Sequence, residues 1–351
     1  MAYTEIDDPE AYFRIKLYSG NGSDDRAIVF DTTDTTMQPD FLWIKNRDSA
    51  FSHALFDAVR GSSKMLTTQG GDAEQTNASS GGLTSFDANG FTTNAGSGSN
   101  PYRNTNESGD GYVAWCWKES ATAGFDIVSY TGNGSARTIS HSLSAKPHWI
   151  IVKNRSDDDN YWQVQHKSLG ATKNMLLNDT NAVATVSTFW NDTEGTTSVF
   201  SVGTHDDTNE NTDSIIAYLW SEKQGFSKFG SYLANNSADG NFIYLGFRPA
   251  FFMVKSASGG SASARNWRIY DNKRANTNGT STVGIDEQIF PNTTSAEVVN
   301  DNELDFCSNG VKIRCNDGGV NTSGETYIWM AFAEAPFVNS KKIPCNANGA
   351  E

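Results

Sequence analysis

Five histidines, one acidic run and two carboxylate pairs are the residues of this 351-residue chain with the means to do chemistry. The histidines are His53, His141, His148, His166 and His205. A catalytic histidine acts on a nucleophile held at a set place, and neither a Gly-x-Ser-x-Gly elbow nor a Cys–His framework accompanies any of them. His166 therefore reads as a polar residue at a strand end. Glycoside hydrolysis would need a carboxyl pair, which Asp57 with Glu119 or Asp271 with Glu334 would have to supply. Nothing in their spacing brings either pair to the required separation, and acids this common are usually solvated. The chain is expected not to be an enzyme. Asp157-Asp158-Asp159-Asn160 offers oxygen ligands, but it lacks the glycine and glutamate that an EF-hand loop carries at its sixth and twelfth places. It reads as a solvated turn, and no metal or cofactor is expected.

Nine tryptophans raise a binding reading, because aromatic faces stack on sugar rings. Trp43, Trp115, Trp117, Trp149, Trp220, Trp267 and Trp329 sit in strand-like segments and read as core. Trp190, in the turn-rich Phe189-Trp190-Asn191-Asp192-Thr193, is the residue expected to be an exposed recognition aromatic. Cys116, Cys307, Cys315 and Cys345 show no Cys-x-x-Cys spacing and read as free thiols. A two-residue Asn309-Gly310 hairpin turn would set Cys307 opposite Lys312 rather than Cys315.

The elements that carry these residues are written three times. Pro39-Asp40-Phe41-Leu42-Trp43-Ile44-Lys45 returns as Pro147-His148-Trp149-Ile150-Ile151-Val152-Lys153, and again as Pro249-Ala250-Phe251-Phe252-Met253-Val254-Lys255. Upstream, Tyr18-Ser19-Gly20-Asn21-Gly22-Ser23 matches Tyr130-Thr131-Gly132-Asn133-Gly134-Ser135, with Tyr232-Leu233-Ala234-Asn235-Asn236-Ser237 as a degenerate third copy. Asn-Gly accepts positive φ at little cost, so these read as tight turns after a strand. Downstream, Leu55-Phe56-Asp57 aligns with Val164-Gln165-His166 and Ile269-Tyr270-Asp271. Each copy closes on an apolar strand: Tyr112 to Trp115, Ile215 to Tyr218 and Tyr327 to Phe332.

Short segments rich in Val, Ile, Phe, Tyr and Trp, set between Gly/Asn/Ser/Thr/Asp clusters, predict an all-β fold. The expected architecture is three tandem homologous β-sandwich, jelly-roll-like domains, with a barrel left open as an alternative. Their bounds are 1–121 with a short N-terminal arm, 122–223, and 224–351 with a C-terminal tail. The Phe41–Lys45 segment is apolar on both faces and belongs centrally in its sandwich. Each copy is expected to form its own core, so residues 122–223 alone would melt cooperatively. Gln69 to Gly82 and Ser256 to Ala264 read as low-complexity surface loops or disorder.

Charge and hydropathy exclude further classes. Lysine and arginine number 27 against 41 acids, a net charge of −14 that repels a phosphate backbone, so no nucleic-acid partner is expected. No run of eighteen apolar residues exists and the start is polar and acidic, which predicts neither membrane insertion nor a secretion signal. The chain is expected to be made in a cytosol.

These residues carry a family resemblance. Asp8-Pro9-Glu10-Ala11-Tyr12-Phe13, the Tyr-Ser/Thr-Gly-Asn-Gly turn, Phe41 to Arg47, Tyr112 to Trp115, Gln224 to Tyr232 and Glu334 to Ser340 resemble a tandem-repeat structural protein of marine tailed bacteriophages, with relatives in cyanophages and pelagiphages. The resemblance spans nearly the whole chain and implies a place on the virion exterior, after assembly in the host cytoplasm. The function it implies is a tail-fibre or spike component that adheres to a host-surface glycan; the alternative is a capsid decoration or head-fibre protein. Its implied partners are other virion proteins, further copies of itself, for instance as a trimer, and host-surface polysaccharide. It supplies no catalytic residues.

Overall fold

The structure is a computed structural model, and it describes residues 4, 6–31, 35–98, 102–259, 265–274 and 285–336. Cys345, the end of the 256–264 loop and the tail beyond Pro336 lie outside the described residues. The fold is all-β, built from antiparallel sheets. Two four-residue helices, Ser187–Trp190 and Asp206–Asn209, interrupt it. No helix among the described residues is long and apolar enough to cross a membrane.

Three sheets share one strand order. In the first unit Phe13–Ser19 and Phe41–Asn46 flank the closing strand Gly111–Trp117, with Ala54–Asp57 outside Phe41–Asn46. Phe125–Thr131, Ser214–Trp220, Trp149–Asn154 and Gln163–His166 repeat that order in the second. Ser227–Leu233, Thr326–Pro336, Phe247–Ser256 and Arg268–Asp271 repeat it in the third. In each unit an outer sheet that includes Arg26–Val29, Arg137–Ser140 or Phe242–Tyr244 covers one face of this inner sheet.

Side chains alternate across a strand, so the two apolar faces of Phe41–Asn46 have separate destinations. Leu42 and Ile44 pack with Ile28 and Phe91 inside the first unit. Phe41 and Trp43 point the other way, into a core that all three units share. Trp117 is at its centre: its ring lies 6.3 Å from Trp220 of the second unit and 5.6 Å from both Phe251 and Phe332 of the third. Phe41 meets Tyr218 at 4.5 Å, and Phe13 stacks on Phe332 at 5.1 Å. Each unit keeps a core between its own sheets, but the expectation of three self-sufficient units is corrected by this fourth core, which the units build together. The three sandwiches form a closed ring around an aromatic axis.

Backbone hydrogen bonds run round the ring in one direction. Glu74 N–H donates to Arg155 O, Val183 N–H to Ala257 O and Glu297 N–H to Arg47 O, at 3.0, 2.8 and 2.8 Å. The donor loop of each unit is thus strapped to the next. The low-complexity stretch from Gln69 to Gly82 is the first of these straps rather than a free surface loop, and it includes the short strand Gln75–Thr76. Composition alone points to a loop because the strap's partner is another unit.

The repeated turns are held by repeated partners. Asn106 donates to Asn21 Oδ1 and Ser23 O, Asn209 to Asn133 Oδ1 and Ser135 O, and Asn321 to Ser237 O. Gly22, Gly134 and Asn236 take positive φ there, which explains why only Gly or Asn stands at that place. On the far side of the third unit, Cys307 pairs with Gly310 rather than Lys312, which makes Ser308-Asn309 the hairpin loop. Cys116, Cys307 and Cys315 are free thiols.

Candidate functional site at the seams

Three seams join the units, and aligned residues meet at each. One end of every seam holds an aromatic or imidazole donor: Trp162 Nε1 to Thr67 O at 2.9 Å, Trp267 Nε1 to Leu176 O at 2.8 Å, and His53 Nε2 to Phe290 O at 3.0 Å. Trp43 Nε1 donates to His53 Nδ1 at 2.9 Å, so His53 is neutral with its proton on Nε2. Burial pushes it well below the usual histidine range. Lys45, Lys153 and Lys255, the last residue of each repeated Pro motif, are fully buried. Lys153 Nζ donates to Gly71 O across the first seam, and Lys255 Nζ to Thr180 O and Asn181 O across the second. Desolvation lowers these ammonium groups to about 8, 8 and 7 in chain order.

Two seams also contain a buried ion network. At the first, Asp57 receives Tyr218 OH at 2.7 Å and Arg60 Nε at 2.5 Å, while Glu74 joins Arg60 to Arg155. At the seam that closes the ring, Asp271 receives Trp115 Nε1 at 2.9 Å and Arg274 Nε at 2.5 Å, and Glu297 joins Arg274 to Arg47. The second seam replaces the whole set: His166, Leu169, Val183 and Ala257 stand for acid, arginine, glutamate and arginine. Met330, which cannot donate, stands where the other seams have Tyr218 and Trp115. His166 turns instead to Trp329 O at 3.4 Å and is pushed down to about 3 by burial.

At the opposite end of each seam four aligned positions diverge in charge. The first seam has Asp40, Ala58, Glu119 and Asp126; the second His148, Lys167, Glu222 and Lys228; the closing seam Ala250, Asn272, Glu334 and Arg14. A backbone bond fixes the alignment: Ala58, Lys167 and Asn272 each donate N–H to Asp40, His148 and Ala250. The first seam thus gathers three carboxyls where the others balance theirs with cations. Burial, together with the hydrogen bond that the protonated Glu119 donates to Asp126 and the charges of Asp126 and Asp40, pushes Glu119 up to about 7. The Ile127 N–H, which donates to Glu119 Oε1 at 3.3 Å, opposes this, while Lys118 lowers the neighbouring Asp40.

The folded chain therefore holds a Glu119 proton that the unfolded chain, titrating near 4.5, has already released. Stability from this group is full below about pH 4.5 and is lost as pH rises through 7. A shift of this size in a half-exposed group corresponds, after screening, to about 1–2 kcal/mol. Glu119→Gln is expected to flatten that slope, and denaturant melts from pH 4.5 to 8 measure it.

The second seam is an open groove of about 550 Å³, lined by His148, Glu222, Gln224, Ser227, Lys228 and Tyr244 among others. His148 Nδ1 accepts Glu222 N–H at 2.9 Å, which leaves Nε2–H as a donor. Glu222 Oε1 accepts Phe229 N–H at 2.8 Å and pairs with Lys167. Lys228 donates to Tyr244 O at 2.8 Å and sits over that ring, 4.9 Å from its centroid. Tyr244 and Phe242 share the solvent face of the edge strand Phe242–Tyr244 and are 42% and 47% exposed. The aligned places hold Ala27 and Val29 in the first unit and Thr138 and Ser140 in the second. Aligning the copies beyond the Tyr232 turn would have shown this pair in the sequence.

The residues singled out by sequence go elsewhere. Trp190 is not exposed: it is 0% accessible and packs with Phe200 and Val202 in the core of the second unit. The turn signal belongs to Asn191 and Asp192, whose positive φ bends the chain back after the helical turn and leaves the indole inside. Asp57 and Asp271 are bound into ion networks, Glu119 pairs with Asp126, and Glu334 with Arg248. Of the acidic run, Asp158 accepts Ala73 N–H of the first strap, and Asp157 lies within 4.8 Å of Glu210 and Asp213.

A family model described as a domain of unknown function (DUF7483) matches residues 8–336. The chain belongs to that family. The DUF7483 match begins just before the helical turn Pro9–Ala11 and ends with the last residue of Thr326–Pro336, so it takes in all three units. No curated protein matches the chain.

Proposed function

We propose that this protein is a non-enzymatic structural component of a bacteriophage virion, carried on the particle exterior in a tail fibre or spike, where it adheres to a host-surface glycan. The placement rests on the sequence resemblance to tandem-repeat proteins of marine phages. The observation that carries adhesion is the pair Phe242 and Tyr244, large aromatics in water where the other units present small residues. A soluble surface rarely keeps such a pair beside a groove without a use for it.

One observation favours the alternative, a capsid decoration or head-fibre protein. The repeats close into a ring instead of extending in a line, so they add little reach. Copy number separates the two. A reconstruction of the parent particle with few copies at the tail supports the fibre reading, and hundreds across the head support decoration. Adhesion itself is tested by passing the protein over immobilised cell-surface polysaccharide from a panel of marine bacteria; no retention on any member defeats it.

A further inference from the structure

The second seam points to one ligand class. We propose that the groove between the second and third units binds an uncharged saccharide, one sugar ring resting on the Tyr244 and Phe242 face and its hydroxyls meeting His148, Glu222 and Gln224. This deepens the adhesion reading and rests on it.

The chemistry narrows the ligand from three sides. Donor and acceptor groups are interleaved along the groove: His148 Nε2–H gives, the Glu222 carboxylate receives and the Gln224 amide does both. A hydroxyl also gives and receives, so a polyol satisfies such a lining. An apolar ligand would leave those groups unpaired. A polyanion would find both lysines of this seam already engaged, Lys167 by Glu222 and Lys228 by Tyr244 O, within a chain of net charge −14. Lys228 is held by Tyr244 O and the Tyr244 ring, so it braces the aromatic platform.

The other seams do not offer the same place. The closing seam encloses only about 180 Å³, and its Arg14 donates to the carbonyls of Glu10, Asp31 and Thr35. The first seam presents three carboxyls and no aromatic residue at the aligned positions. Among the described residues, the second seam alone of the three combines volume, mixed polarity and exposed rings.

The test is affinity electrophoresis of the full chain through gels containing laminarin, mannan or galactan, all uncharged, or alginate, which is acidic. Retardation by at least one neutral polysaccharide is expected. Tyr244→Ala should weaken it at least about tenfold, near 1.4 kcal/mol, while Val29→Ala, the aligned change in the first unit, leaves it unaltered. Both side chains are exposed, so both variants should melt like the parent. Equal retardation of Tyr244→Ala and parent would overturn this site and leave adhesion standing. Retardation by alginate alone would overturn the uncharged class. Migration unchanged in every gel overturns the proposal outright, and adhesion falls with it only if the bacterial polysaccharides also fail to retain the protein.

Discussion

Residues 122–223 expressed alone are expected to melt broadly or to aggregate, and Trp117→Ala in the full chain to cost about 3–5 kcal/mol. Excision would lay bare Phe125, Trp149, Trp162, Tyr218 and Trp220, which the intact ring buries in the shared core. That is a larger apolar surface than a monomeric unit of about a hundred residues normally leaves in water. Trp117 touches aromatic rings of both other units, so truncating it opens a cavity against all three. Trp117→Phe should be far milder: Phe332 already occupies the aligned place, and the indole N–H of Trp117 has no hydrogen-bond partner to lose. Calorimetry on the fragment and both variants settles the point. A sharp, reversible transition in the isolated fragment would mean that the shared core is dispensable.

Asp57→Ala should destabilise the ring by about 3–5 kcal/mol, the usual effect of stripping one partner from a buried ion pair. The change leaves the Arg60 guanidinium buried without its short partner and deprives Tyr218 OH of its acceptor. Changing Asp57, Arg60, Glu74 and Arg155 together to His, Leu, Val and Ala should cost much less, because no charge is then stranded. The second seam is the natural version of that fourfold exchange with a fifth added, Met330 in the place of Tyr218, so that no hydroxyl loses its acceptor there. Chemical denaturation of the single and fourfold variants gives the comparison, and equal losses in both would show that the network stabilises through its charges as such.

Part of this was legible from residues alone. The thrice-written Pro-x-Phe/Trp motif, its Lys and the Tyr-x-Gly-Asn turn marked matching strands and matching turns, because local backbone needs recur with the local sequence. The apolar character of both faces of Phe41–Lys45 was also visible, though it signified burial against two different neighbours. What stayed hidden were relations between copies. Glu74 sits in a stretch of Gly, Gln, Asn and Ser, and its role depends on Arg155 lying across a seam. Trp190 reads as exposed from sequence because its turn signal lies after it, and a single helical turn leaves no periodic trace. The carboxyl cluster of Asp40, Glu119 and Asp126 spans three separate strand ends and emerges only once the units are set side by side.

The bidentate pair of Arg47 with Glu297 has a bearing on how the protein is made. These partners are 250 residues apart, whereas Arg155 and Glu74 at the first seam are 81 apart. As the chain leaves the ribosome, the first two units can dock while the third is still being synthesised. The last joint must wait for nearly the whole chain. The longer span adds only about 1 kcal/mol of loop-closure entropy, but until it shuts, the nascent protein shows one side of its aromatic axis to solvent, in a state prone to associate with its neighbours.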